Sequence, residues 1–91
     1  MEVSRLKELP LYECFKQVHA LKIRELRHNE DGTLTFWPVN EDYQAITVEK
    51  QFVPLHDPAR PSPGWYFVVY ENEYKSFSPA EAFEKGYRLL R

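Results

Sequence analysis

Cys14, His19, His28 and His56, with Asp57, are of types that could meet around a metal or form a nucleophilic pair. Their spacing matches no standard zinc arrangement, and a structural zinc site takes four well-chosen ligands. A nucleophilic pair of Cys14 with His19 or His56 lacks an orienting third group and oxyanion donors. The expected state is therefore one semi-buried cysteine and three surface or strand histidines, with no metal. Glu71, Glu73, Glu81 and Glu84 lie near aromatic residues, the residue types of a glycosidase site. Glu81, however, stands where it would cap a helix, and the others suit exposed turn and helix positions. With only three glycines and no glycine-rich phosphate loop, nucleotide chemistry is not expected either. The chain reads as non-enzymatic and without a cofactor.

Binding is the remaining chemistry. Trp37, Trp65, Tyr66, Phe67, Tyr70, Tyr74 and Phe77 form an aromatic set that could stack single-stranded bases, with Lys16, Lys22, Arg24, Lys75 and Arg88 supplying charge. The competing explanation is core packing. A protein partner is favoured by charge: residues 29–57 carry one basic side chain against six acidic, while the whole chain is at only -2. That balance argues against a dedicated duplex-DNA binder. The candidate partner-binding residues are Trp65, Tyr74, Glu73, Arg60, Glu41 and Asp42, together with the stiff 58–63 stretch. Pro58-Ala-Arg-Pro61 has the minimal spacing of a polyproline ligand, but a stiff crossover loop explains it better.

These residues must be positioned by a single small domain, residues 1–91, in which aromatic burial substitutes for a large aliphatic core. Residues 1–11 predict an N-terminal arm or a short helical turn ended by Pro10. Alternation over 12–26 predicts a strand with Val18, Ala20 and Lys22 on one side and His19, Leu21 and Ile23 on the other. Asn29-Glu30-Asp31-Gly32 predicts a turn, followed by a second strand over 33–37 that ends at Pro38. A third strand is predicted over 45–48, and one helical turn between Glu49 and His56. Strands at 65–70 and 74–77 are predicted to form a second hairpin. Ser78-Pro79-Ala80-Glu81 then predicts a capping box, and Gly86 a left-handed helix stop. The expected fold is α+β: a small antiparallel five-strand meander, curled into an SH3-like barrel or left as a partly open sheet, with one short C-terminal helix.

The segment from Gly64 to Tyr87 resembles the end of a group of small, uncharacterised phage- and prophage-encoded proteins. Their pattern is Gly-Tyr-Tyr/Phe-Val-x-Tyr-Glu-Asp-Gly-Tyr-x-Ser-Phe-Ser-Pro-Ala-x-Ala-Phe-Glu-x-Gly-Tyr. A weaker match runs through Tyr12, Cys14, Lys16, Val18, Ala20, Lys22 and Ile23, and the middle of the chain diverges. Two departures stand in the matched block. Asn72-Glu73 replaces Asp-Gly in the hairpin, where a glutamate at positive φ would cost about 1 kcal/mol relative to glycine, so a different turn type is an alternative. Trp65 replaces a smaller residue or tyrosine. The resemblance implies a phage or prophage origin and no catalysis.

The expected function is that of an accessory protein binding a host or phage protein. A single-stranded nucleic-acid-binding barrel and a self-associating structural protein, for instance a homodimer, are the alternatives. One cysteine cannot form an internal disulfide, no apolar run approaches the roughly 18 residues of a membrane span, and the first residues lack a signal-peptide core. The expected location is the bacterial host cytoplasm, without membrane contact.

Overall fold

The computed structural model describes residues 9–13, 15–56 and 59–90. Five strands form one antiparallel sheet: β1 (His19–His28), β2 (Leu34–Pro38), β3 (Ile46–Val48), β4 (Tyr66–Val69) and β5 (Lys75–Ser78). A 3-10 turn (Lys50–Phe52) follows β3, and one helix, α1 (Ala80–Gly86), follows β5. The sheet order is β3-β2-β1-β4-β5. Three consecutive strands thus run as a meander and the fourth returns beside the first, the Greek-key order. Edge strands β3 and β5 do not pair with one another, so the sheet is open, the second of the two expected forms. None of the described helices is long and apolar enough to cross a membrane. Of the expected N-terminal arm, residues 1–8 lie outside the described part, and Leu9 and Leu11 are exposed.

Alternation along the strands builds one apolar face. Ile23, Leu34, Phe36, Val48, Val53 and Phe67 are buried together, with Leu21, Leu26, Ile46, Phe52, Trp65, Val69 and Phe77 packed around them. Ile23 and Leu26 both join this core although three positions apart, because the β1–β2 register slips between Ile23 and Glu25. That bulge at Arg24 restores the inward phase for the second half of β1. Val53, just after the 3-10 turn, is buried in the same core. On the opposite face Thr35, the one polar side chain buried among the described residues, meets Asn29 Nδ2 at 3.0 Å and Thr47 Oγ1 at 2.9 Å.

Both hairpins use the same loop. In the first, Gly32 N–H donates to Asn29 O at 3.1 Å and Asn29 N–H to Thr33 O at 2.9 Å; in the second, Glu73 N–H donates to Tyr70 O at 2.9 Å and Tyr70 N–H to Tyr74 O at 2.9 Å. This is the three-residue hairpin whose third loop residue is left-handed. Gly32 occupies that position at φ +91°, and a Cβ there would lie 3.3 Å from the Lys50 Cβ. Gly32→Ala is expected to cost about 1–2 kcal/mol, seen as a lower urea midpoint with unchanged slope.

Two expectations about α1 are corrected. Ser78 does not cap it: Pro79 holds the cap position and no side-chain cap bond is made. Ser78 is held in the β5 ladder opposite Tyr66, so its hydroxyl is turned from the helix amides and donates instead to Pro79 O at 3.4 Å. Glu81 pairs with Lys85 at 2.9 Å rather than closing a capping box. Gly86 is the last helical residue and does not take a left-handed φ; the chain leaves through Tyr87 in extended conformation.

Candidate functional site

Seven residues of helix with no buried side chain cannot stand alone, so α1 depends on what it touches. Phe83 stacks on Tyr66 at 4.2 Å and 19°, and Tyr87 stacks on Phe83 at 4.6 Å and 18°. Beside the stack, Tyr66 O–H donates to Glu84 Oε2 at 2.7 Å and Lys22 Nζ donates to the same oxygen at 3.4 Å. Lys22 also lies over the Tyr66 ring at 5.7 Å. The cluster is an anchor, and its residues explain one another without a ligand.

The anchor sets a pH window. The Tyr66 hydroxyl, and then Lys22, hold the Glu84 carboxyl below its ordinary 4.5, while burial, and then Glu84, push Tyr66 above its ordinary 10.0. A lowered carboxyl pKa stabilises the docked helix above the ordinary value and stops doing so as pH falls through the folded one. A raised tyrosine pKa stabilises it below the ordinary value and stops doing so as pH rises. In an NMR pH titration the Phe83 ring resonances are expected to stay flat between about pH 5 and 9 and to move outside that window. Glu84→Gln is expected to remove the acid limb.

The other end of β4 is different. The β4–β5 loop and its flanks form a shallow open groove of about 480 Å³ lined by Lys16, Tyr70, Glu71, Asn72 and Tyr74. Tyr70 and Tyr74 are 6.1 Å apart and tilted by 39°, and Phe52 stands edge-on to Tyr74 at 5.6 Å. Lys75 Nζ sits over Phe52 at 4.9 Å. Gln17 N–H donates to Glu71 Oε1 at 3.1 Å and fixes the start of the arm against the loop. Tyr74 is 56% exposed.

Glu73 is the third residue of this loop and has φ 65°, the only positive φ outside glycine among the described residues. The residue types Asn72-Glu73 therefore do not switch the loop to a turn free of left-handed backbone; the glutamate takes the position that Gly32 takes in the sister hairpin. Its side chain offers no compensation: the carboxylate makes no hydrogen bond or ion pair with the described residues. A strained, solvent-facing residue beside an exposed aromatic is the arrangement expected of a contact site.

The other candidate residues lie elsewhere. Trp65 is half-buried and packs against the core, its carbonyl accepting from Ile23 N–H at 2.7 Å. Arg60 Nε donates to His28 Nε2 at 3.4 Å at the far end of β1. Burial, and then the Arg60 charge, hold His28 below its ordinary 6.5. Glu41 and Asp42 are exposed in the β2–β3 loop, where Asp42 N–H donates to Asn40 Oδ1 at 2.9 Å. Of the six candidates, only Glu73 and Tyr74 come together. Phe52, which joins Tyr74, carries no local signal in the sequence, whereas Lys16 on the same groove is one of the cations the sequence offers to a nucleic acid.

Most of the aromatic set is inside the fold. Phe67 is buried, Trp65 and Phe77 pack on the core, Tyr66 lies under Phe83, and Trp37 lies 5.7 Å from the Arg27 guanidinium. Lys22, Arg24 and Lys75 are engaged with Glu84, Glu25 and Phe52. His19 and His28 stand at opposite ends of β1, roughly 30 Å apart at strand rise, and Cys14 and Asp57 lie outside the described residues. Comparison of the chain with protein-family models, with curated proteins and with solved structures finds no match.

Proposed function

We propose that this chain is a non-enzymatic protein-binding module, a phage- or prophage-encoded accessory protein of the bacterial cytoplasm, and that it meets its partner with the β4–β5 hairpin. The observation that carries this reading is Glu73: a left-handed glutamate with a free carboxylate, next to an exposed tyrosine, where glycine would fold better. The neighbours of the exposed Tyr74 are of both signs, Lys16 and Lys75 with Glu71 and Glu73, a mixed surface that suits a protein better than a phosphate backbone. The test is a photo-crosslinking amino acid placed at position 74 and, separately, at position 42, in a bacterial host lysate. A discrete adduct from position 74 alone is expected; adducts from 42 alone, or from neither, would contradict the assignment.

One observation favours a second reading, self-association. Leu11, Tyr12 and Phe15 are 97%, 88% and 86% exposed, large apolar side chains that nothing among the described residues covers. Two copies could cover these side chains for one another. Light scattering separates the readings: a monomer at micromolar concentration leaves the hairpin as the contact face.

A further inference from the structure

We infer that residues 9–13 of a second copy add a sixth strand to the outer edge of β5, each copy lending its segment to the other. This rests on the self-association reading. The edge is open. Tyr70 N–H donates to Tyr74 O on one side of β4, and Ile23 N–H donates to Trp65 O on the other. Ladder groups alternate along a strand, so Ser76 and Ser78 face β4 while the N–H and C=O of Lys75 and Phe77 point outward. Among the described residues no strand lies on that side. The helix α1 does not cover it, because Phe83 and Glu84 dock on Tyr66 and Lys22, further into the sheet.

The segment ahead of β1 has the complementary need. Leu9, Leu11 and Tyr12 are 55%, 97% and 88% exposed. Pro10 fixes the phase of any strand made there, since a proline in a ladder must turn its missing donor outward. Leu9, Leu11 and Glu13 are then the residues that bond to β5. One antiparallel register sets Leu11 opposite Phe77 and Glu13 opposite Lys75, joining apolar to apolar and acid to base. Neither charge has an ion-pair partner among the described residues. A shift of two residues either way loses both matches, opposing Leu11 to Lys75 or Glu13 to Phe77. Lysine on an edge strand commonly guards it against pairing, and a strand carrying an acid at that level answers the guard.

The chain's own segment does not reach this edge. The outer side of β5 is three strand spacings from β1, about 14 Å, and residues 14–18 would have to cover it while passing the loop at 71–73. Fully extended they span about 17 Å, and Gln17 is held at Glu71. A second copy approaches the edge from outside. The pairing uses Lys75 and Phe77 and none of the loop 71–73.

The experiment is sedimentation equilibrium of the full chain at about 1–100 µM, with amide exchange by NMR on the same samples. The wild type is expected to dimerise in that range. Glu13→Lys, Lys75→Glu and Leu11→Ser are each expected to weaken the dimer about tenfold, two contacts being lost per dimer, and the double charge reversal to restore it. Glu13 and Leu11 are exposed, so their variants keep the fold of the monomer. The Lys75 and Phe77 amides are expected to exchange more slowly as the dimer forms, with Ser76 unchanged. Three results would overturn the inference and leave self-association to another face: a dimer indifferent to Glu13→Lys and Leu11→Ser, a folded double reversal that stays monomeric, or protection of those amides independent of concentration. A wild-type monomer up to about 100 µM would overturn both the inference and the reading beneath it, with the hairpin tip untouched.

Discussion

Phe36→Ala is expected to lower the unfolding free energy by about 3–5 kcal/mol. Phe36 is fully buried at the middle of β2, its ring 5.1 Å from Phe67, which in turn lies 5.6 Å from Phe77. These three rings, from β2, β4 and β5, tie the two halves of the sheet together across β1. Removing the first leaves a cavity whose walls are strands on both sides, so little collapse can fill it. A domain of this length is stable by only about 5–14 kcal/mol, and the variant should therefore populate unfolded chain near room temperature. Urea unfolding followed by tryptophan fluorescence reads the effect; a loss under about 1 kcal/mol would mean that the core lies elsewhere.

Trp65→Ala is expected to cost about 2 kcal/mol, below the value for a fully buried aromatic because the indole is only half-covered. Its backbone bonds, to Ile23 N–H and from its own N–H to Ser62 O at 3.1 Å, do not depend on the side chain. The residue sits at the start of β4 and the hairpin at its end, roughly 17 Å away at strand rise. Partner binding at the hairpin should thus be unchanged once unfolded protein is allowed for. Binding lost in proportion to more than that unfolded fraction would return Trp65 to the contact face.

What could be read from the sequence was local. The two turns, the alternation from His19 to Ile23 and the brief 3-10 turn are written in neighbouring residues and are present. β1 begins only at His19, however, so the strand expected from residue 12 is shorter at its start: 12–13 and 15–18 pair with no neighbouring strand. The failures share a cause in tertiary constraint. Ser78 has the right type for a cap, yet the β5 ladder holds it in the wrong direction. The bulge at Arg24 answers to the packing of Ile23 and Leu26 on one core, and no residue type announces it. The site was half legible: Tyr74 and Glu73 stood out because folding did not need them. Phe52 did not, since it is distant in sequence from Tyr74 and only the fold brings the two rings together. Trp65 stood out for the same reason as Glu73, and in its case packing supplies the explanation.

The central claim is that Glu73 is kept in a strained conformation for contact rather than for folding. Glu73→Gly tests it directly, with unfolding and partner capture measured on the same preparation. Glycine should raise the unfolding free energy by about 1 kcal/mol, because it takes φ 65° without steric cost. It should at the same time weaken binding at the hairpin by about tenfold, the usual scale for losing a charge-assisted pair. A variant that is more stable and binds less well is the result this account expects. A variant that binds as tightly as the wild type, or that gains no stability, would contradict it.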